Sequence, residues 1–184
     1  MNTTLVTTIN IVFSSATIAG QIFLVLLLAL FVFERKQLAR NAVWRFLSRH
    51  AILFGFITAL AATGGSLLYS EIIGYEPCKL CWFQRIFLYP QTVLFAVALL
   101  RKDKGVAPYA ATLSIVGAII VGYHYLLQIG ITAGLPCSAV GYSAACSQRF
   151  VLQYGYITIP MMALTAFLLI IGFTAMQRYE KIEI

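Results

Sequence analysis

The chain has 184 residues, 61% of them hydrophobic and only 10% charged, with a mean hydropathy of +0.89. A soluble domain of this size is near half apolar and about a quarter charged, so lipid is the solvent for much of this surface. The net charge of +7 is confined to short segments between apolar runs, which is the pattern of membrane topology and argues against a nucleic-acid surface.

Five apolar stretches follow in order: Ile11–Phe33, Ala51–Ile73, Trp82–Leu100, Tyr109–Ile129 and Tyr154–Met176. Each has 19 to 23 residues, against the roughly 20 that a helix needs to cross about 30 Å of hydrocarbon. Continuous runs of this length exclude barrel strands, and only helices or closed barrels satisfy their backbone groups in lipid. The first stretch lacks a preceding basic region, is too long for a signal peptide and carries its positive charges after it, so it reads as a span. The third is the most polar, interrupted by Gln84, Arg85 and Gln91. The fold expected is an all-α membrane protein with five spans.

The basic residues orient these spans. Arg35, Lys36, Arg40, Arg45 and Arg49 lie between the first and second stretches, Arg101, Lys102 and Lys104 between the third and fourth, and Arg178 and Lys181 after the fifth. Ten of the thirteen basic residues thus fall on one side, leaving Lys79, Arg85 and Arg149 for the other. The positive-inside rule places the ten in the cytoplasm and the N-terminus outside. All four cysteines then fall outside, Cys78 and Cys81 in one connection and Cys137 and Cys146 in another. Thiols confined to an oxidising side point to disulfide chemistry.

"GYEPCKLCWFQRIFLYP" (Gly74 to Pro90) sets a C-x-x-C pair at the mouth of the third span. Pro77 suits the first turn of a helix, where its missing N–H costs nothing. In a helix beginning there, Cys78, Cys81 and Arg85 share a face, and the helix terminus with Lys79 and Arg85 favours a thiolate. A strained structural disulfide, a zinc site shared with Cys137 and Cys146, and a redox dithiol are three readings of this pair. The second pair lies in "GLPCSAVGYSAACSQRF", whose small residues suit either a loop staple or a mobile disulfide offered to a soluble partner. His124 and Gln128 lie one helical turn apart in the outer half of the fourth span, placed to hydrogen-bond a carbonyl ring near the C-x-x-C. Tyr69, Tyr75, Trp82, Tyr89 and Tyr154 are among the aromatics at outer helix ends, an interfacial belt. Ala61, Ala62, Gly64 and Gly65 permit close helix packing. No phosphate-binding loop, Ser/His/Asp constellation or paired carboxylates are present to carry hydrolysis.

"EPCKLCWFQRI" resembles the signature of the DsbB/BdbC family of membrane thiol oxidases, and "YHYLLQ", "PC", "CS" and "GYITIP" match further along in the same order. The resemblance spans roughly residues 51 to 177 as a four-helix bundle, and is closer to the short-loop branch. It implies three segments: an extra N-terminal transmembrane helix with a basic linker (1–50), the thiol oxidase core (51–177) and a cytoplasmic tail (178–184). It further implies a multi-pass protein of the bacterial cytoplasmic membrane. Such a protein takes electrons from a soluble thioredoxin-like thiol oxidase of DsbA/BdbD type and passes them to a membrane quinone, menaquinone or ubiquinone. By motif position, the resemblance makes Cys137 the sulfur attacked by the partner, Cys146 the one that exchanges with Cys78, and Cys81 the one facing the quinone. The resemblance likewise gives Arg85 the role of stabilising the reduced quinone, with His124 and Gln128 bordering its pocket. In the vitamin-K-epoxide-reductase type the loop cysteines precede the C-x-x-C, whereas here they follow it. The competing expectation is a membrane protein that binds metal through four outer-face thiolates.

Overall fold

The structure is a computed structural model that describes residues 3–33, 41–131 and 146–182, the last five of these as backbone only. Among them are five helices long and apolar enough to cross a membrane, as the hydropathy predicts. They are α1 (Thr3–Phe33), α3 (Ala51–Leu67, extended by a π turn over Leu68–Ile72), α4 (Lys79–Arg101), α5 (Ala107–Gln128) and α6 (Ile159–Ile182). The chain is therefore an all-helical, multi-pass membrane protein.

A sixth helix, α2 (Ala42–Arg49), lies in what the sequence reads only as a basic linker. Asn41 caps it, its Oδ1 accepting from the N–H groups of Val43 at 2.9 Å and Trp44 at 3.4 Å. Trp44 and Leu47, three residues apart, bury one face, while Arg45 and Arg49 stay exposed. These two apolar residues join Leu27, Phe173 and Met176 in a cluster tying α1, α2 and α6 at the basic end of the bundle. The main core lies between the other helices, around Leu88, Phe95, Val121, Phe167 and Ile170.

Successive packed helices run antiparallel, so the end of α3 and the starts of α4 and α6 meet at one end of the bundle. At that end α5 stops on a Schellman arrangement. Gly130 takes φ +82°, and the N–H groups of Gly130 and Ile131 bond the carbonyls of Leu127 and Leu126 at 3.2 and 3.1 Å. Two helix starts differ most from the hydropathy reading. The fifth span begins at Ile159 and not Tyr154, because Tyr154 and Gly155 both have positive φ (53° and 80°) in a tight turn closed by a Gln153–Ile157 bridge. The first span begins at Thr3, eight residues before the apolar run. The polar interruption at Gln91 is absorbed internally: its Oε1 accepts from Ser114 Oγ at 2.9 Å and its Nε2 donates to the Phe87 carbonyl at 2.7 Å.

Candidate active site

The site begins where α3 unwinds. Its last turn widens into the π turn, a local distortion common at functional sites, and Gly74 at φ +83° turns the chain back towards α4. Pro77 precedes the helix cap, so it does not occupy the first helical turn. Cys78 is itself the cap, with φ −69° and ψ 171°, and its Sγ accepts the Cys81 N–H at 3.4 Å. Both cysteines are free, and their sulfurs lie 3.2 Å apart. Cys78 is buried and Cys81 half-buried. The hydrogen bond from Cys81 holds the Cys78 thiol well below the ordinary range; burial opposes this, and the contact with His124 adds to it. Cys78 is thus set up as the thiolate of the pair.

His124, 1% exposed, comes to Cys78 from α5. Its Nε2 lies 3.7 Å from Cys78 Sγ and 3.1 Å from the backbone carbonyl of Cys146. A carbonyl only accepts, so Nε2 carries the proton. Nδ1 then accepts from the Gln84 amide at 2.7 Å, which fixes the ring and its tautomer. One N–H therefore faces both a C-x-x-C sulfur and the backbone of the second cysteine pair. Gln128, one turn on, donates from Nε2 to the Gln148 carbonyl at 3.0 Å. Arg149 caps the same helix end, its guanidinium donating to the Gln128 backbone carbonyl. Cys78, Cys81, His124, Gln128 and Cys146 line a small cavity of about 20 Å³.

On the other side of Cys81 lies a larger, mostly apolar cavity of about 340 Å³. Arg85 lines it, 8% exposed. Its Nε donates to Ser66 Oγ at 3.1 Å and its Nη2 to the Ser66 carbonyl at 3.3 Å, while its Cζ lies 5.0 Å from the Trp82 ring and 5.9 Å from that of Tyr89. Its partners among the described residues are thus a hydroxyl, a carbonyl and two ring faces. A guanidinium held this way keeps its charge facing the cavity and does not snorkel to the surface.

The family model described as "Disulfide bond formation protein DsbB" matches residues 48–177. This chain belongs to the DsbB family. Among similar proteins, Disulfide bond formation protein C of Bacillus subtilis (strain 168) is 40% identical over 130 residues, which is 70% of this chain and 92% of that protein. The SPbeta prophage-derived disulfide bond formation protein B of the same organism is 40% identical over 117 residues, 64% of this chain and 78% of its own. A probable disulfide formation protein of Coxiella burnetii (strain CbuK_Q154) is 36% identical over 139 residues, covering 75% and 94%. No solved structure matches the chain.

Membership in the DsbB family makes the protein a membrane thiol–disulfide oxidoreductase that acts with a thiol–disulfide partner protein. Of the residues singled out in sequence, Cys78, Cys81 and His124 come together, and the Cys146 backbone joins them. Cys146 is buried and disulfide-bonded; Cys137 lies outside the described residues. Arg85 lines the large cavity, whereas His124 and Gln128 line the small one. Sequence reasoning missed the roles of Gln84, which orients His124, and Ser66, which holds Arg85. Gln84 left a signal as a polar residue two positions into an apolar span; Ser66 left none, since its contact crosses from α3 to α4.

Proposed function

We propose that this DsbB-family protein reoxidises a soluble thioredoxin-like thiol oxidase of the DsbA/BdbD type and passes the electrons to a membrane quinone. The observation that carries this reading is the position of Cys81, which lines both cavities. One cavity is shared with Cys78 and Cys146, the other with Arg85. A sulfur so placed can receive electrons from one side and release them to the other.

The partner's thiolate attacks Cys137 in the Cys137–Cys146 disulfide, and its second thiol then releases the oxidised partner and leaves this pair as a dithiol. Cys146 attacks the Cys78–Cys81 disulfide in turn, and closure of Cys137 on Cys146 moves two electrons and two protons to the inner pair. His124, donating from Nε2, stabilises negative charge on Cys78 as it becomes the leaving sulfur. A quinone held beside Cys81 and Arg85 would supply a two-electron, two-proton sink, through which Cys78 and Cys81 return to a disulfide. Arg85 presents fixed positive charge to the cavity where negative charge develops. The apolar lining and the volume of about 340 Å³ suit a planar ring with a hydrocarbon tail. The donors of His124 and Gln128 bond backbone carbonyls of Cys146 and Gln148, and both residues line the smaller cavity, which supports a role for them on the sulfur side.

The positive-inside pattern supports a bacterial cytoplasmic membrane location with both cysteine pairs outside. The oxidised, purified protein is expected to oxidise a reduced thioredoxin-like partner and to reduce added menaquinone or ubiquinone mole for mole. Quinone reduction that survives Cys81→Ser would overturn the reading.

A second reading rests on one further observation: the ligand atoms of Cys78, Cys81 and His124 all lie within 4.8 Å of one another. Two thiolates and an imidazole suit zinc. This site replaces a four-thiolate one, because Cys146 is disulfide-bonded. Stoichiometric zinc in the reduced protein, lost in His124→Ala, would favour metal binding; turnover by zinc-free protein would favour the relay.

A further inference from the structure

Helix α1 lies outside the residues 48–177 that match the family, yet it is built into the site. Its buried positions include Asn10, Ser14 and Thr17, polar residues at helical spacing, while Val12, Val25, Leu26 and Leu28 are exposed. A lipid-embedded helix that turns its polar side inward is held by protein. The contacts that hold it are specific. Tyr69 donates to Asn10 Oδ1 at 3.1 Å, Gln21 Nε2 to Thr165 Oγ1 at 3.2 Å, and Tyr156 to Gln21 Oε1 at 2.8 Å. At Gly65, an added Cβ would sit 2.6 Å from Cε1 of Phe13, so the α1 ring packs directly on the α3 backbone.

Three α1 residues, Phe13, Ala16 and Thr17, line the large cavity beside Cys81 and Arg85. The α3 residues on the same cavity run from Tyr69 to Ile57, a helical rise of about 18 Å from the sulfur end into the depth of the bundle. We infer that α1 is a wall of the electron-acceptor cavity and selects acceptors by the tail they carry, with Phe13 and Thr17 as specificity-determining residues. This rests on the reading of that cavity as the quinone site. The ring end is set by Cys81 and Arg85 from the family core, and the tail channel is shaped by α1 against α3. Lipid is as apolar as the channel, so moving the tail between them gains little. Selection is therefore steric, by fit between the α1 side chains and the tail.

Two acceptors with the same naphthoquinone ring test this, tailless menadione and a menaquinone carrying an isoprenoid tail. Binding to the full-length protein is read from quenching of tryptophan fluorescence without partner or turnover, and KM and kcat are measured separately. Thr17→Phe narrows the channel and is expected to weaken binding and raise KM for the tailed acceptor about tenfold or more, leaving menadione within about twofold. Phe13→Ala opens the wall and is expected to reduce the preference between the two acceptors. Gly65→Ala, which displaces Phe13, is expected to act in the same direction, while Gly64→Ala, with nothing within 4 Å, matches the wild type. If Phe13→Ala and Gly65→Ala both keep the wild-type ratio of tailed to tailless affinity, α1 is not a selecting wall. Wild-type protein that binds and reduces neither acceptor would instead overturn the quinone site itself.

Discussion

The imidazole of His124 stands 3.7 Å from the sulfur of Cys78 and donates, through the same nitrogen, towards the carbonyl of Cys146. The contact favours the charged form of Cys78, adding to the hydrogen bond from Cys81. Stabilising the thiolate stabilises the reduced pair, so the Cys78–Cys81 couple becomes more oxidising.

Removing that donor reverses the sign. In His124→Ala the Cys78 thiol is expected to titrate at higher pH, seen as an upward shift in the midpoint of its alkylation rate by iodoacetamide. Loss of one hydrogen bond, about 1 kcal/mol, corresponds to a couple more reducing by about 20 mV, measured by equilibration with glutathione buffers. An unchanged midpoint would show that His124 acts only as packing.

Arg85 is expected to act on the acceptor step alone. Arg85→Gln keeps a donor for Ser66 but removes the charge, and should lower kcat for quinone reduction about 100-fold. The rate at which a reduced partner reduces the outer disulfide should stay at the wild-type value. Arg85→Lys, which keeps charge but loses the planar fork held by Ser66, should fall between the two. Equal losses in both half-reactions would make Arg85 a structural residue.

With Cys146→Ser, Cys137 is a lone thiol whose thiolate attacks the disulfide of the oxidised partner, freeing the partner's second sulfur as a thiol, and no neighbouring Cys146 sulfur displaces the partner. A long-lived mixed disulfide between Cys137 and the partner is expected on non-reducing gels, absent from the Cys137→Ser variant. A mixed disulfide at Cys78 instead would show that the partner bypasses the outer pair.

The bundle's stability can be probed away from the chemistry. A Cβ at Gly117 on α5 would lie 2.4 Å from Cζ of Phe167, whose ring is fully buried on α6. Gly117→Ala is expected to cost about 1–3 kcal/mol, lowering the thermal midpoint in detergent by several degrees. Gly122→Ala on the same helix, with nothing within 4 Å, should leave it unchanged.

Much of this was legible in sequence, because membrane spans are written in composition. Apolar runs of sufficient length set the five spans, and the C-x-x-C with Arg85 set the reactive end. What was illegible was pairing across helices. Nothing local says that Ser66 holds Arg85 or that Gln84 fixes His124, since these contacts join residues 19 and 40 positions apart. Helix α2 escaped notice because eight residues hold only two turns of pattern amid arginines. The late start of α6 escaped because Tyr154–Ile157 is apolar enough to read as span, although Gly155 and Pro160 already mark a turn. The inward polar stripe of Asn10, Ser14 and Thr17 was readable, and would have shown that the first helix is docked against the others.

Cys78, the proposed redox sulfur, is also the acceptor that caps the start of α4. As a thiolate it places an anion at the positive end of that helix, worth about 0.3–1 kcal/mol; in a disulfide the charge is gone. The oxidation state of the protein is therefore coupled to the firmness of one helical turn. By reciprocity, whatever grips or loosens the segment before Cys78 must shift the potential of the pair. A docking partner could thus bias the direction of electron flow mechanically, before any sulfur is exchanged.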